Sequence, residues 1–360
     1  MKPLIVGGGP VGGYLASHFP SATLIDQKST RGSPVRCTGI LTDDISTFLR
    51  PQELKKSTLN TIKTATIHGP TQTASVPIGT NHIICNSTFE RQFIEKAEKN
   101  GTRILFKHKY LSSTGAQHHV RDMENGKRKI IKSDQLVGCD GPQSTINKAF
   151  SIQKKKKQYM GFQIRLKVSE HENAIQFYPH IGQYAWYVPE SENIARVGVC
   201  TSGQPKPIFN AFLKKFKGTQ LNIQAGFIPY HQPFQKTTFK ASNLQVSLLG
   251  DAAGHIKNTT GGGIVPGIKA AQQFIDTDSN YKGMKGSLQR ELYSHFLVHN
   301  ILKQCTPKEW DAIIKAVEHH KEDFGNISRD QLWKLAPKLL KNRTFIGLGL
   351  KKAFKNRIFF

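Results

Sequence analysis

Two glycine-rich segments carry the residue types in this chain that are best suited to binding a nucleotide. Gly7, Gly9 and Gly12 fit the pattern G-x-G-x-x-G, whose glycines allow a tight turn, close approach to a pyrophosphate and close helix packing. Gly250-Asp251 and the later run Gly261 to Gly263 form the second segment, about 240 residues further on. Two such segments suggest one large cofactor held from both ends. We predict that this cofactor is FAD.

The elements around the first segment are those that a dinucleotide site requires. The apolar run Leu4 to Val6 is typical of a buried parallel strand, and a helix is expected to begin at Pro10. The first N–H groups of this helix and its dipole would face the phosphates. Asp26 ends a second apolar run, nineteen residues after Gly7, where an acid accepts a ribose hydroxyl. A glycine turn without a ligand is the alternative interpretation.

The remaining elements predict a discontinuous cofactor domain. Ser87-Thr88-Phe89-Glu90 is a capping box that opens a helix with Arg91 in its first turn. A strand then leads into Asp140-Gly141, another turn onto a helix. Between residues 161 and 239 the helical period disappears, and alternating runs indicate an antiparallel sheet. From about residue 287 onward the pattern is helical, with basic loops.

We therefore expect an α/β (α+β) fold with a Rossmann-type FAD domain, an inserted antiparallel β-sheet substrate domain and a helical C-terminal region. Residues 1–160 are assigned to the first part of the FAD domain, with small β insertions near 62–80. Residues 161–239 are assigned to the substrate sheet and 240–282 to the second part of the FAD domain. Residues 283–360 are assigned to the basic helical region.

The composition predicts a cytoplasmic protein without a metal site. Apolar residues make up 38% of the 360, the mean hydropathy is −0.42, and no run approaches the roughly 18 apolar residues of a membrane span. No charged leader precedes an apolar stretch at the start. The adjacent pairs His118-His119 and His319-His320 are predicted to be solvated surface. The cysteines lack a C-x-x-C pair and indicate neither disulfides nor zinc; they are Cys37, Cys85, Cys139, Cys200 and Cys305.

The charge predicts an anionic partner. Lys and Arg total 51 against 25 Asp and Glu, a formal charge of +26. Such a charge would attract nucleic acid, anionic lipid headgroups or an acidic electron-transfer protein. The alternative is a lysine-rich proteome, in which the charge merely solvates the surface. Basic residues cluster at Lys154 to Lys157 and beyond Asp330, where they mix with Phe and Leu. This mixture suits a membrane-surface segment, so peripheral association with an anionic membrane is expected.

The order of these motifs resembles FAD enzymes of the para-hydroxybenzoate hydroxylase superfamily, which implies a glutathione-reductase-type FAD domain. Arg36-Cys37-Thr38-Gly39 resembles the cysteine-glycine motif near the flavin in the geranylgeranyl reductase family. Tyr184-Ala185-Trp186-Tyr187-Val188-Pro189 is similar to the YxWxFP motif of that family, which includes archaeal digeranylgeranylglycerophospholipid reductases. The resemblance covers roughly residues 1 to 275. It departs from the family at Asn258-Thr259-Thr260, where relatives often carry Asn-Pro, and at Cys139, where alanine is commoner.

The resemblance also implies roles for individual residues. Cys37 and Gly39 would lie beside the isoalloxazine ring, with Cys37 a proton donor or modulator. With Tyr184 and Trp186 they are the candidate catalytic residues, and Tyr184, Trp186, Tyr187 and Pro189 would line an apolar tunnel for an isoprenoid chain. The candidate cofactor-binding residues are Gly7, Gly9, Gly12, Asp26, Arg36, Arg91, Asp140, Gly250, Asp251, Gly261, Gly262, Gly263 and Ile264.

The implied activity is saturation of C=C bonds in geranylgeranyl chains of a membrane lipid, with hydride from the flavin. The electron donor stays open between ferredoxin and NAD(P)H, and nucleic acid is not expected as a partner. Three alternatives remain: an FAD-dependent aromatic monooxygenase or halogenase, a flavin-dependent RNA-modifying or nucleic-acid-binding protein, and a membrane-associated scaffold in which FAD is only structural.

Overall fold

The computed structural model describes residues 2–30, 32, 37–153, 157–241, 243–277, 281–322, 328–334 and 347. The candidate cofactor residue Arg36 and the lysines at 154–156 lie outside the described residues. So does the basic segment beyond Lys334, apart from Gly347.

Strands occupy most of the first two thirds of the chain, and helices most of the last third. The strands are β1 (Leu4–Val6), β2 (Thr23–Ile25), β3 (Ile40–Thr42), β4 (Thr58–His68), β5 (Thr73–Ile84), β6 (Arg103–Leu105), β7 (His108–Thr114), β8 (Gln117–Asp122), β9 (Arg128–Lys132), β10 (Gln135–Gly138), β11 (Gln158–Lys167), β12 (Ile175–Tyr178), β13 (Tyr184–Ser191), β14 (Ile194–Thr201), β15 (Thr219–Pro229), β16 (Thr238–Ala241) and β17 (Leu244–Leu248). The α-helices are α1 (Pro10–Ala16), α2 (Pro51–Ser57), α3 (Asn86–Lys99), α4 (Thr145–Phe150), α5 (Pro205–Leu213), α6 (Ile264–Thr277), α7 (Gly286–Leu302) and α8 (Pro307–His319).

Apolar runs from distant parts of the sequence build the first large sheet. Its strand order is β16-β17-β10-β1-β2-β6, and all pairs are parallel except β16 with β17. Leu4, Ile5 and Leu24 are fully buried, as expected for parallel strands covered on both faces. Because β17 lies in the same sheet as β1, both glycine segments belong to one Rossmann-type unit, as predicted.

The second large sheet has the order β15-β11-β14-β13-β12-β4-β5-β3. Its pairs are antiparallel except β12 with β4, so the sheet is mixed rather than purely antiparallel. The β segments near 62–80 are not small insertions in the FAD domain, because β4 and β5 are long strands of this second sheet. The predicted domain boundaries stay a prediction, although sheet membership divides the chain differently from them.

Two local predictions are wrong. The first turn of α3 is not a capping box: the helix begins two residues earlier, with Cys85 rather than Ser87 as N-cap, and the hydroxyls of Ser87 and Thr88 bond to the Cys85 sulfur. Glu90 instead pairs with Lys28 at 3.2 Å, and Arg91 falls in the second turn, exposed. The helical period also does not disappear between 161 and 239, because α5 buries Phe209 and Phe212 there.

His118 is a further correction. It is fully buried on β8 rather than solvated, and its ring nitrogens lie 2.6 Å from Ser113 Oγ and 2.9 Å from the Ser133 carbonyl. Among the described residues no group of acidic, histidine or cysteine side chains could hold a metal ion. Within the same residues, every helix is too short or too polar to cross a membrane.

The helices after α6 cover one face of the second sheet. Trp310, Ile313, Ile314 and Val317 of α8 share a core cluster with Tyr184 and other side chains of that sheet. Phe296 and Leu302 of α7 pack against the same cluster. The face of β13 that carries Tyr184 and Trp186 therefore packs with the C-terminal helices.

Candidate functional site

The turn between β1 and α1 requires glycine for a different reason at each position. At Gly7 the backbone has φ +105°, and an added Cβ would lie 2.3 Å from the Cys139 carbonyl oxygen. At Gly12 a Cβ would lie 1.9 Å from the Gly7 oxygen. At Gly9 no described atom lies within 4 Å of an added Cβ. The helix is thus packed tightly on the strand, while the turn keeps an open side where a pyrophosphate can approach the backbone.

Asp26 lies beside this turn, at the end of β2. Its Oδ2 accepts a hydrogen bond of 2.6 Å from the Gly8 N–H, and its Oδ1 accepts one of 2.8 Å from the Lys28 N–H. Each carboxylate oxygen keeps a further lone pair. A ribose hydroxyl could donate to such an oxygen, which is the role that the sequence predicts for Asp26.

Asp140 adds an unsatisfied acceptor next to the same turn. Its Oδ2 accepts from the N–H groups of Thr145 at 2.6 Å and Ile146 at 3.2 Å, in the first turn of α4. Its Oδ1 is buried and has no hydrogen-bond partner among the described residues. Burial raises the pKa of the carboxyl. Because the Asp140 Cα would lie 2.9 Å from a Cβ on Gly7, this acceptor fits a ligand that donates a hydrogen bond at the turn.

Val11 joins the two glycine segments. A Cβ on Gly250 would lie 3.0 Å from Val11 Cγ2, and one on Gly267 would lie 2.5 Å from the same atom. Asp251 follows, and its Oδ1 would lie 2.6 Å from a Cβ on Gly263, directly before Ile264 begins α6. The second segment therefore packs against the first turn of α1, as expected for two segments that hold one ligand.

Tyr184 reaches the second glycine run from the other sheet. Gly261 has φ +69°, and an added Cβ would lie 2.1 Å from the Tyr184 hydroxyl oxygen. Tyr184 is buried and faces Cys200 across the β13–β14 pair. Burial, together with the neighbouring Cys200, raises the pKa of Tyr184 well above its usual value. The hydroxyl therefore stays protonated at the point where the two sheets meet.

The alternation of β13 separates the four predicted tunnel residues. Trp186 lies with Tyr184 in one core cluster, covers Gly198, and donates a 3.2 Å hydrogen bond from Nε1 to Gln163 Oε1. Tyr187 belongs to a different cluster, and its hydroxyl lies 2.7 Å from His171 Nδ1. Pro189 shares the parity of Tyr187, because side chains two residues apart share a face. The structure thus brings Tyr184 and Trp186 together and leaves Tyr187 and Pro189 on the opposite face.

The segment Cys37 to Gly39 is held by side chains of α3 and the second sheet. Asn86 Nδ2 donates a 2.9 Å hydrogen bond to the Cys37 carbonyl, and Arg196 donates to the Thr38 carbonyl. Thr38 Oγ1 donates to Gln163 Oε1 at 2.8 Å, the same oxygen that anchors Trp186. Gly39, at φ +70°, would place a Cβ 2.7 Å from Asn86 Nδ2. The predicted cysteine-glycine motif is therefore fixed relative to Trp186.

The Cys37 thiol stays protonated at neutral pH. Although the residue is exposed, neighbouring protein atoms desolvate the thiol and raise its pKa to about 11, outweighing the hydrogen bond that it accepts from the Gly39 N–H at 3.3 Å. The charge of Asp251 raises the pKa further. Cys37 also contributes to the raised pKa of Tyr184, so the thiol, Asp251 and Tyr184 are electrostatic neighbours. This group can hold protons beside the second glycine segment.

Sequence reasoning missed a buried ion pair behind the Cys37 segment. Arg196 Nε donates to Glu190 Oε2 at 2.8 Å, and Arg165 Nε donates to the same oxygen at 2.9 Å. Burial alone would raise the pKa of Glu190, but the two guanidinium groups hold it below its usual value. A signal was present, because arginine at position 196 interrupts an otherwise apolar strand.

A second buried pair lies under the glycine run. Lys257 Cε would lie 3.0 Å from a Cβ on Gly262, and its ammonium pairs with Asp330, which is fully buried. Thr42 Oγ1 donates to Asp330 Oδ2 at 2.6 Å. Burial alone would raise the pKa of Asp330, but the ammonium groups of Lys257 and Lys269 hold it well below its usual range. A short 3-10 helix, Arg329–Lys334, thus brings a counter-charge to the glycine run.

These features fit a flavin dinucleotide, and known proteins agree with that fit. Residues 1–206 match a family model described as an FAD binding domain. Digeranylgeranylglycerophospholipid reductase 1 of Methanococcoides burtonii is 25% identical to this chain over 98% of it and 96% of that protein. The digeranylgeranylglycerophospholipid reductase of Methanothrix thermoacetophila is 24% identical over 92% and 89%.

A solved structure has the same fold. The geranylgeranyl bacteriochlorophyll reductase-like protein of Thermoplasma acidophilum superposes with a TM-score of 0.74 at 19% identity, over 93% of this chain and 95% of that one. The resemblance to geranylgeranyl reductases is thus confirmed, whereas the roles of the individual candidate residues stay predictions. Since the family model covers more than half of the 360 residues, the chain belongs to the FAD-binding domain family and is a flavin-dependent oxidoreductase with FAD as its cofactor.

Proposed function

We propose that this protein saturates C=C bonds in the geranylgeranyl chains of a membrane lipid or its precursor. The observation that carries the proposal is the contact between the second sheet and the second glycine run: Tyr184 lies on Gly261, where we assign the flavin. Trp186 continues the same aromatic surface away from that contact. An apolar, aromatic wall beside a flavin suits an isoprenoid chain better than a polar aromatic substrate.

FAD, when bound and reduced, supplies the hydride that no protein side chain can provide. Gly7, Gly9 and Gly12 with Asp26 and Asp140 would hold the ADP half, and Gly250 and Asp251 the centre of the molecule. The N–H groups of Gly262 and Gly263, before α6, would face the negative charge of a reduced ring, since the Gly261 N–H already donates to the Lys257 carbonyl at 2.8 Å. Arg91 is exposed on α3, and its contact with the phosphate side stays a proposal.

The chain's own residues would orient the alkene, exclude water from it and supply a proton. Isolated prenyl double bonds accept hydride poorly, so the alkene must be held tightly against the flavin and away from water. Tyr184 and Trp186 would orient it, since both are buried and Trp186 is fixed through Gln163. Cys37 would hold the proton on Sγ, because its pKa of about 11 keeps the thiol protonated at neutral pH. Hydride on one carbon and this proton on the other complete a single saturation.

The lipid substrate is supported by the names of the relatives, two of which are called digeranylgeranylglycerophospholipid reductases. The test is to express the chain in cells that are supplied with a geranylgeranyl phospholipid, and to measure the extracted lipids by mass spectrometry. We expect mass gains of two hydrogens per saturated bond. Gains of oxygen, or no change while the protein carries FAD, would overturn the proposal.

A further inference from the structure

Exposed aromatic rings cluster on and around α7. Phe234 is 83% exposed, and Tyr293 and Trp333 are each 36% exposed. The ring centroids of Phe234 and Tyr293 are 6.0 Å apart, and the Arg290 guanidinium lies 5.2 Å from the Trp333 ring. Positions 290 and 293 are neighbours on one side of the helix. Phe234, Arg290, Tyr293, Lys303 and Trp333 together form a surface that we call the α7 face.

The backbone at Phe234 is unusual for its residue type. Its φ is +61°, in the left-handed region that bulky side chains seldom adopt. The ring is nevertheless held in solvent, where it contributes no core burial. Local strain of this kind concentrates at positions with a function. We therefore expect the exposed ring of Phe234 to contact a partner outside the chain.

Cationic groups flank the aromatic rings at both ends of α7. Arg290 stands at one end, and at the other Lys303 follows the last turn. The Lys157 ammonium lies 5.1 Å above the Tyr230 ring and 5.6 Å from the Tyr159 ring. Burial, and then the charge of Lys157, lowers the pKa of Lys303, so the two ammonium groups are close enough to repel each other. Such a pair favours an anion between or beside the two lysines.

A series of rings leads inward from the α7 face to the glycine run. Phe296 lies 6.3 Å from Tyr293 and 6.0 Å from Tyr230, measured between ring centroids. Tyr230 lies 5.7 Å from Tyr159 in the same way. Tyr159 shares a core cluster with Tyr184, whose hydroxyl adjoins Gly261. These packed rings thus connect the α7 face with the core beside the proposed reaction site.

We propose that the α7 face docks this protein on an anionic lipid bilayer. Aromatic rings with an apolar body settle at the headgroup level of a bilayer, and flanking cations bind the phosphates. The net charge of +26 supports attraction to such a surface. The docking does not depend on the proposed function, because it does not require turnover.

The test uses the full-length protein with FAD and vesicles of equal parts phosphatidylcholine and phosphatidylglycerol, with acyl chains that carry bromine as a fluorescence quencher. Both tryptophan variants are made in a Trp333→Phe background, because the native Trp333 already lies on the α7 face, and Phe234→Trp then places the probe there. Ile223→Trp is the matched control, because Ile223 is 64% exposed on β15, in the edge strand of the second sheet. We expect quenching of the new fluorescence at position 234 and none at 223. Quenching at 223 alone, or at neither position, would overturn the proposal.

Vesicle binding tests the two kinds of side chain separately. We expect Phe234→Ser combined with Tyr293→Ser to weaken binding at least tenfold, and Ile223→Ser to leave it unchanged. Lys303→Gln should weaken binding about fivefold, which corresponds to about 1 kcal/mol per charge, and only when phosphatidylglycerol is present. Unchanged binding of the double serine variant would assign docking to another part of the chain. Because these lipids carry no prenyl chains, the result is independent of whether the protein reduces geranylgeranyl lipids.

Discussion

Gly261 is the residue at which the proposed cofactor site and the aromatic strand meet, and only glycine fits there. Its φ of +69° disfavours other residues, and an added Cβ would lie 2.1 Å from the Tyr184 hydroxyl oxygen but 3.3 Å from the next atom, Tyr184 Cζ. We expect Gly261→Ala to lower FAD occupancy, measured as flavin absorbance per protein. The double variant Gly261→Ala, Tyr184→Phe should recover part of it, because the colliding oxygen is gone.

Gly126 offers a control for this prediction. Its φ is +71°, and no described atom lies within 4 Å of an added Cβ, so Gly126→Ala introduces the same backbone strain without a collision. It should retain FAD. Equal loss in Gly126→Ala and Gly261→Ala would mean that general instability, rather than the contact with Tyr184, explains the loss.

Cys37 is the residue that we propose as the proton donor. We expect Cys37→Ala to slow alkene saturation by about 10²-fold or more, the usual contribution of a positioned proton donor, with FAD content unchanged. Cys305→Ala, at a half-buried cysteine outside the site, should leave the rate unchanged. The rates are measured by product mass under single turnover of pre-reduced protein. A full rate in Cys37→Ala would assign the proton to another group.

Among the elements, β14 positions the Cys37 segment through a buried charge. Arg196 holds the Thr38 carbonyl and Glu190 at once, and Glu190 is 5% exposed. We expect Glu190→Gln to lower the free energy of unfolding by about 3–5 kcal/mol at pH 7, because a buried guanidinium loses its counter-charge. Exposed Glu192 provides the control Glu192→Gln, which should have little effect. Denaturant unfolding measures both.

The pH dependence of this difference follows from the lowered pKa of Glu190. A carboxyl with a depressed pKa stabilises the fold fully above its unfolded pKa of about 4.3, and this stability is lost as the pH falls through the folded value. The difference in the free energy of unfolding between the parent protein and Glu190→Gln should therefore shrink as the pH drops below about 4. A gap that stays constant from pH 7 to pH 3 would contradict the ion pair.

The elements differ in how well the sequence predicts them. The turn from Gly7 to Gly12 depends on local spacing, so both its position and its tight packing could be predicted. The membership of β4 and β5 in the second sheet depends on pairing with β12, about 110 residues away, which local patterns do not contain. Local patterns also do not contain the contact between Thr38 and Arg196, because these residues meet only after the sheet has formed. The faces of Tyr187 and Pro189 could have been predicted from the alternation of a strand.

At the scale of the whole molecule, the short helix Arg329–Lys334 lies beside the second glycine run, where we propose the flavin binds. Asp330 pairs with Lys257 under the second glycine run and lies 3.8 Å from Lys269 of α6. We expect Asp330→Asn to lower the free energy of unfolding by about 3–5 kcal/mol at pH 7, because the buried ammonium of Lys257 loses its partner. Exposed Asp134 provides the control Asp134→Asn. An Asp330→Asn variant as stable as the control would show that the segment is not anchored through this charge.

The central claim is that the flavin site and the aromatic wall of β13 together reduce a prenyl chain. The most direct measurement is mass spectrometry of a purified geranylgeranyl phospholipid after anaerobic incubation with the FAD-loaded protein and a chemical reductant. The account predicts that the lipid gains mass in steps of two hydrogens, and that Trp186→Ala reduces this gain while FAD stays bound. A lipid that is recovered unchanged from fully reduced, FAD-loaded protein would contradict it.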